Sequence, residues 1–265
     1  MSYETILFDV SEGVATITLN RPDRYNALTI QMYEDIQHAL KQCARNNDIR
    51  AVMLTGSGRA FTSGADLVEL QANLGTFDIS DMLRIGLNRI VTAIRTLEKP
   101  VVAVINGVVA GAGGGLALAC DMRLASDKAT FVFAAFSRIG IIPDAGTTYS
   151  LTQLVGTSKA LELAMFADGK NRVTAEEALR LGIVNRVVPH DELEASSHAM
   201  GVQMAKMATK AIGLTKRSIY AATDRTLEEA LENEAALQSV TFKTHDFQEG
   251  VMAFIQKREP EFKGE

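Results

Sequence analysis

The chain has 265 residues, a formal net charge of −5 and 47% hydrophobic residues. A chain of this length removes roughly three quarters of its unfolded surface from water on folding, so it can form one large domain or two modest ones. The length excludes a small disulfide-stapled scaffold, and the acidic balance argues against a basic nucleic-acid module. The cysteines Cys43 and Cys120 lack the spacing of a zinc or redox site and are predicted to be buried thiols in a reducing compartment.

The sequence predicts neither a targeting signal nor a membrane span. Residues 1–7 contain no basic region and no long apolar stretch, which favours a cytoplasmic protein. The longest apolar run, residues 101–112, is interrupted by Asn106 and Gly107 and is too short to cross about 30 Å of hydrocarbon. We therefore expect no transmembrane helix and no membrane partner.

The first half of the chain alternates strand and helix patterns. Two extended runs between Thr5 and Leu19 flank a short turn and predict a β-hairpin. Thr29 is placed to cap an amphipathic helix that leads into an apolar strand at residues 51–54. A further helix is predicted to end at Pro100 and to bury one face, formed by Leu83, Leu87, Ile90, Ile94 and Leu97. A strand buried on both faces follows at residues 101–105, so repeated βα units predict stacked, largely parallel sheets covered by helices.

The last third of the chain is predicted to be helical. After a short strand at residues 184–188, helical patterns dominate up to Lys257, and Thr174 with Glu177 has the spacing of a capping box. We place a boundary near residue 195, which gives an α/β core over residues 1–195 and a helical region over residues 196–265. The apolar residues of this region are predicted to contact the core or a neighbouring subunit, among them Leu227, Ala230, Leu231, Ala235 and Val240.

Glycine-containing turns follow three predicted strands, at residues 56–64, 107–115 and 140–146. Such loops carry reactive groups in α/β proteins, although glycine after a strand is more often a simple turn residue. The run at residues 111–115 lacks the third glycine of a dinucleotide fingerprint, because Leu116 takes its place, and P-loop, serine-elbow and zincin motifs do not occur. Small residues at a helix start do offer backbone N–H groups that can hold an oxyanion. This applies to residues 111–112 and, if a helix begins there, to residues 64–66.

Carboxylates are the acid/base candidates, because the four histidines occupy positions typical of surface or packing residues: His38, His190, His198 and His245. Asp144 lies between Pro143 and Ala145 in an apolar segment near Phe131 and Phe133. Apolar surroundings predict a raised pKa for this carboxyl and a role as a proton shuttle. The alternative interpretation is an ordinary Pro-Asp turn.

Four segments in this order resemble the enoyl-CoA hydratase/isomerase family, also called the crotonase superfamily. They are residues 20–28, which contain Asn20-Arg21-Pro22, and residues 60–67, 100–121 and 140–146. The resemblance implies an α/β fold, a crotonase-like spiral of repeated ββα units followed by a C-terminal α-helical region.

In this family, the thioester carbonyl of a coenzyme A substrate lies between two backbone N–H groups, and these positions match Ala65 and Ala112. The resemblance further implies that Arg24 lies near the coenzyme A phosphates. Ser63, Asp66 and Leu67 would lie near the adenine. It implies no metal and no permanently bound cofactor, since coenzyme A is part of the substrate.

The family also implies assembly as a homotrimer or hexamer through the carboxyl-terminal helices. Phe262 or Lys263 would then reach the coenzyme A of a neighbouring subunit. An acyl-CoA thioester is the expected partner, and no nucleic acid is expected.

The chain differs from the hydratases of the family at two positions. Their catalytic glutamates align with Gly115 and Phe136, neither of which can transfer a proton. Asp144 falls where double-bond isomerases of the family carry Asp or Glu and where aryl-CoA dehalogenases carry a nucleophilic Asp. Residues 136–144 are similar to the same stretch in relatives of 1,2-epoxyphenylacetyl-CoA isomerase, which also resemble Δ3,Δ2-enoyl-CoA isomerases.

The sequence therefore predicts an acyl-CoA isomerase that works through an enolate, with Asp144 as proton shuttle, Ala65 and Ala112 as N–H donors, and Phe136 among the substrate-binding residues. The alternatives are hydratase-like activity, an aryl-CoA hydrolase or dehalogenase, and a catalytically silent coenzyme A-binding homologue. Retention of both small-residue loops together with Asp144 favours an enzyme. The acyl group stays open between linear and aromatic, because it depends on residues around 70–90 and 131–149.

Overall fold

The computed structural model of the protein describes residues 3–73, 75–76 and 78–265. Its strands are β1 (Ile6–Ser11), β2 (Val14–Leu19), β3 (Ala51–Gly56), β4 (Ala60–Thr62), β5 (Val101–Ile105), β6 (Val108–Ala110), β7 (Met122–Ser126), β8 (Thr130–Val132), β9 (Val173–Thr174) and β10 (Arg186–Val188). Its first helices are α1 (Ile30–Arg45), α2 (Leu67–Ala72), α3 (Ile79–Ile85), α4 (Leu87–Thr96), α5 (Ala112–Ala119), α6 (Ala135–Arg138), α7 (Thr147–Val155), α8 (Thr157–Phe166) and α9 (Ala175–Arg180). The carboxyl-terminal helices are α10 (Leu193–Ala205), α11 (Thr209–Ala222), α12 (Leu227–Thr241) and α13 (His245–Gln256).

Two sheets organise the α/β part of the molecule. The larger sheet has the order β1-β2-β3-β5-β7-β10, and all of its neighbours are parallel except the β1-β2 hairpin. The smaller sheet has the order β4-β6-β8-β9, with β4, β6 and β8 parallel. The chain therefore passes from one sheet to the other and then into helices, in the units β3-β4-α2, β5-β6-α5 and β7-β8-α6. This arrangement confirms the predicted spiral of ββα units and the C-terminal helical region.

Local rules explain why several elements form where they do. The Thr29 side chain accepts a hydrogen bond from the Met32 N–H and caps α1, as predicted. Strand β5 is buried at every position, also as predicted, which fits a central parallel strand that is covered on both faces.

The predicted continuous helix ending at Pro100 is wrong, because Gly86 separates α3 from α4. A Cβ at position 86 would lie 2.8 Å from both the Met82 carbonyl oxygen and Tyr33 Cδ2. The close approach of Tyr33 on α1 therefore requires glycine at this position, and the ψ of −100° at Gly86 interrupts the helix. Helix α4 then ends at Thr96, four residues before the proline.

The capping box predicted at Thr174 and Glu177 is only half formed. The Thr174 hydroxyl accepts from the Glu177 N–H at 3.2 Å, but the Glu177 carboxylate binds Arg180 at 2.6 Å instead of turning back to the cap. A complete capping box occurs elsewhere, at Thr226 and Glu229 on α12.

Helix α10 covers one face of the large sheet. Its residues Leu193, Met200 and Ala205 share an apolar cluster with Val14 and Leu124, while α1 and α4 pack elsewhere in the main core. The boundary predicted near residue 195 falls inside this helix, and two separate domains stay a prediction. Of the apolar residues predicted to make contacts in the helical region, Leu227, Leu231 and Val240 are exposed in the single chain.

Across the described ranges, we find no helix with both the length and the apolar character that crossing a bilayer requires.

Candidate active site

Two loops meet at the carboxyl ends of the parallel strands β4 and β6, where open α/β sheets commonly bind ligands. Gly64, just after β4, has a φ of +92°, and a Cβ there would lie 2.8 Å from the Ala110 carbonyl oxygen and 3.0 Å from the Ala112 nitrogen. Glycine is therefore required both by the backbone angle and by the neighbouring loop. The close approach places Ala65 and Ala112 on adjoining segments.

The N–H groups of Ala65 and Ala112 are left without a protein acceptor in the part of the chain that is described. Leu28 binds the residues on either side of Ala65: its N–H donates to the Gly64 carbonyl at 2.8 Å, and its carbonyl accepts from the Asp66 N–H at 2.9 Å. Ala112 is the first residue of α5, so its N–H has no partner within the helix. Two unpaired donors on adjoining loops, one of them at a helix N-terminus, can stabilise a developing oxyanion.

A polar scaffold holds the loop of Ala65 in place, and it is built on Asn26. This fully buried side chain donates to the carbonyls of Ser57 at 2.9 Å and Ala60 at 2.8 Å. The Thr62 hydroxyl donates to the Asn26 carbonyl at 2.7 Å and accepts from the Gly64 N–H at 3.1 Å. The sequence analysis used Asn26 only as part of a motif and missed this role, because the bonded carbonyls are more than thirty residues away in the chain.

Asp66 is an anchor for the same loop. One carboxylate oxygen accepts from Arg21 Nη1 at 2.9 Å, and the other accepts from the N–H groups of Val68 and Glu69 and caps α2. Burial opposes ionisation, but the hydrogen bonds from Arg21 and Glu69 outweigh it and lower the pKa of the Asp66 carboxyl. The Asp66 carboxylate therefore already has partners within the protein. Its contact with adenine stays a prediction.

Asp144 precedes a turn with unusual backbone angles. Ala145 and Gly146 have φ values of +53° and +70°, and α7 begins directly afterwards at Thr147, whose N–H donates to the Asp144 carbonyl at 2.8 Å. Left-handed geometry is costly for alanine, so the surrounding packing must impose it. Such strain is commonly found at functional sites.

The Asp144 carboxyl is half-buried, and its Oδ1 atom is shielded from solvent without a hydrogen-bond partner. Burial raises the pKa of Asp144 to about 6, although a hydrogen bond with its own backbone opposes the shift. The predicted raised pKa is confirmed. A group with this pKa can both accept and return a proton near neutral pH.

The turn after Asp144 packs against the first turn of α5, the helix that begins at Ala112. A Cβ at Gly115 would lie 2.6 Å from the Ala145 carbonyl oxygen and 2.7 Å from Thr147 Oγ1. Gly115 is three residues after Ala112, so the two positions are neighbours on the helix surface. The packing therefore places the turn that follows Asp144 against the helix that begins with the free Ala112 N–H.

Tyr33 is a residue near the site that sequence reasoning missed. Its side chain is 3% exposed, and burial raises its pKa, with further contributions from the charges of Asp144 and Glu69. The phenol is therefore neutral, and it lies within the electrostatic range of the Asp144 carboxyl. Tyr33 lies in the apolar stripe of α1, and the sequence contained no signal that separated it from an ordinary core residue.

The remaining predicted substrate-binding residues differ in their exposure. Arg24 and Ser63 are exposed, Leu67 is half exposed at the start of α2, and Phe136 is buried in α6. The carboxyl-terminal tail is bound to its own chain. The N–H of Lys263 donates to Asp246 at 2.7 Å, and the carbonyl of Phe262 accepts from Arg50 at 2.7 Å. Their substrate-binding roles stay predictions.

Two further observations concern the ligands that the site can take. Over the described residues, no group of three or more His, Cys, Asp or Glu side chains could hold a metal ion. Leu74 and Phe77, which fall in the segment expected to influence acyl specificity, lie outside the described residues.

Comparison with known proteins places this chain in a family. The family model described as "Enoyl-CoA hydratase/isomerase" matches residues 9–265. A Rhodobacter capsulatus protein named "Probable enoyl-CoA hydratase" is 40% identical over 264 residues, which cover 100% of each chain. The 1,2-epoxyphenylacetyl-CoA isomerase of Escherichia coli is 37% identical, covering 98% of this chain and 99% of its own. The crystal structure of an enoyl-CoA hydratase from Bacillus anthracis superposes with a TM-score of 0.89 at 32% identity, covering 99% of this chain and 100% of the other. The chain belongs to the enoyl-CoA hydratase/isomerase family.

Proposed function

We propose that the protein is an acyl-CoA isomerase that shifts a double bond in an enoyl-CoA thioester through an enolate, or opens an epoxide-derived ring by the same chemistry. The observation that carries the proposal is the carboxyl of Asp144. It is half-buried, it has an oxygen without a partner, and its pKa is raised to about 6. The turn that follows it packs against α5, the helix that begins with the free Ala112 N–H.

In the proposed reaction, the N–H groups of Ala65 and Ala112 bind the thioester oxygen. The ionised Asp144 removes a proton from the carbon next to the carbonyl, and the electron pair moves into the carbonyl to form a conjugated enolate. The protonated carboxyl then returns the proton to the far end of the conjugated system, so the reaction is balanced without an added reagent. One such N–H donor contributes about a hundredfold to a thousandfold, and a positioned base contributes about a hundredfold to ten-thousandfold.

Hydration is the competing activity, since relatives of the chain carry hydratase names. By family resemblance, the two glutamates of a hydratase would occupy positions 115 and 136. Gly115 has no room for a side chain against Ala145 and Thr147, and Phe136 is apolar and buried. A single acid/base group is sufficient for a proton shift but leaves the addition of water without its second carboxylate.

The proposal extends to substrate binding and assembly. Coenzyme A would enter as part of the thioester substrate, with Arg24 near its phosphates, Ser63 and Leu67 near its adenine, and no separate cofactor. A homotrimer or hexamer would cover exposed apolar residues of α12 and α13, such as Leu227 and Phe254, which are 74% and 86% exposed in the single chain. Light scattering of the purified protein measures this directly, and a monomer at working concentration would contradict the assembly.

The central test compares Asp144→Asn with the wild type on a 3-enoyl-CoA, following the absorbance of the conjugated product. We expect the wild type to convert the substrate, and we expect the variant to lose about a hundredfold to ten-thousandfold in kcat while binding the acyl-CoA normally. Asp9→Asn is the matched control, because Asp9 is exposed on β1 and outside the site. The proposal would be overturned if Asp144→Asn turned over the substrate as fast as the wild type, or if the wild type only hydrated it without isomerisation.

A further inference from the structure

Helix α5 begins with a feature that local preference does not explain. Gly113, Gly114 and Gly115 follow Ala112 in its first turns, and all three are buried. Glycine is among the least favourable residues inside a helix, because it loses the most backbone freedom on folding. A run of three needs a compensating contact at each position.

Each glycine faces a different part of the molecule. A Cβ at Gly113 would lie 2.5 Å from Thr62 Cγ2, next to the Ala65 loop. A Cβ at Gly114 would meet only the ring of Phe133, at 3.3 Å and 3.4 Å. A Cβ at Gly115 would lie 2.6 Å from the Ala145 carbonyl oxygen and would overlap the Ala145 methyl group.

We propose that Gly115 is a positioning residue for Asp144. Its missing side chain lets the turn of Ala145 and Thr147 lie against α5, which holds the preceding carboxyl at the end of the helix that bears the Ala112 N–H. This inference rests on the proposed function, since it assigns Gly115 a part in the proton transfer by Asp144.

The contacts at Gly115 explain why an added methyl group must move the carboxyl. The Ala145 carbonyl is backbone, and the turn is already in left-handed geometry, so neither can rotate away as a flexible side chain would. The turn must therefore shift as a unit, taking Asp144 with it. A displaced carboxyl is misplaced relative to the thioester and is also better hydrated.

The test is Gly115→Ala, with Gly114→Ala as the matched control. Both changes add one methyl group to adjacent positions of one helix and raise its helix preference equally, but only the first meets the Asp144 turn. We expect Gly115→Ala to lower kcat about a hundredfold, as for a misplaced catalytic group. Acyl-CoA affinity should change no more than about twofold.

The pH profile separates positioning from a general structural defect. Asp144 must be ionised to act as base, so the wild-type kcat should rise through a pKa of about 6. Better hydration of the carboxyl in Gly115→Ala should move this rise to lower pH, while Gly114→Ala keeps it in place. Equal kcat and an equal profile in the two variants would overturn the inference, even when the wild type and Asp144→Asn behave as an isomerase requires.

A second variant covers the case in which Gly115→Ala does not fold. Combining it with Ala145→Gly removes the methyl group nearest to the added one, and glycine, which suits the φ of +53° at position 145, lets the turn adjust its carbonyl. We expect the double variant to be soluble and to recover part of the kcat. A soluble double variant whose kcat is no higher than that of Asp144→Asn would count against Gly115 as a positioning residue.

Discussion

The two halves of the candidate site are held in opposite ways. The Ala65 loop is fixed by hydrogen bonds from Arg21, Asn26 and Leu28, and the carboxylate of Asp66 has several partners. The Asp144 carboxyl, by contrast, has a shielded oxygen without a partner, and the turn that follows it packs against Gly115. The difference fits the two tasks: an oxyanion site needs fixed donors, whereas a proton shuttle needs a carboxyl whose charged form is not over-stabilised.

The largest expected loss of stability comes from removing the Asn26 side chain, which holds the Ala65 loop in place. Asn26→Ala removes the donor to the half-buried Ser57 carbonyl and one of two side-chain donors to the Ala60 carbonyl, the other being Asn106 at 3.1 Å. We expect it to lower the free energy of unfolding by about 3 kcal/mol, measured by urea denaturation, since buried polar groups would lose their partners. Asn47→Ala, at an exposed position, should stay within about 0.5 kcal/mol of the wild type. Equal stability of the two variants would show that the network does not hold the loop.

The same measurement on Asp144→Asn should give a change of opposite sign. The pKa of Asp144 is raised in the folded state, from 3.8 to about 6, so the folded protein binds the proton more tightly than the unfolded chain. Stability contributed by this group is therefore present below the unfolded pKa and is lost as pH rises towards 6. Asp144→Asn should stabilise the protein by up to about 3 kcal/mol at pH 8, and this gain should shrink towards pH 4. A gain that does not depend on pH would contradict the burial of an ionising carboxyl.

The smallest expected effect concerns the ion pair that anchors the Ala65 loop. Arg21→Gln removes the partner of Asp66, and we expect a loss of about 1 to 2 kcal/mol in stability. It should also reduce kcat about tenfold, because the N–H group of Ala65 would be held less firmly. Arg84→Gln breaks the Arg84–Asp81 pair, in which both side chains are about two thirds exposed, and should change neither quantity. If Arg21→Gln leaves kcat unchanged, the Arg21–Asp66 pair does not position the oxyanion donor.

Much of the fold could be predicted from local patterns. The hairpin, the Thr29 cap and the buried strand β5 follow from alternation, capping chemistry and apolar runs, all of which act over a few residues. The break at Gly86 and the missing half of the capping box at Glu177 could not, because each depends on a competing partner. Tyr33 on α1 leaves no room for a side chain at position 86, and Arg180 binds the carboxylate of Glu177.

For this protein, the sequence by itself determined the order of elements, the raised pKa expected at Asp144 and the small residues at the start of α5. Only the tertiary structure decided which of these features meet. Asn26 joins carbonyls from a distant loop, and the missing side chain of Gly115 admits the turn that carries Asp144. Such contacts depend on the relative placement of segments far apart in the chain, which short-range preferences do not encode.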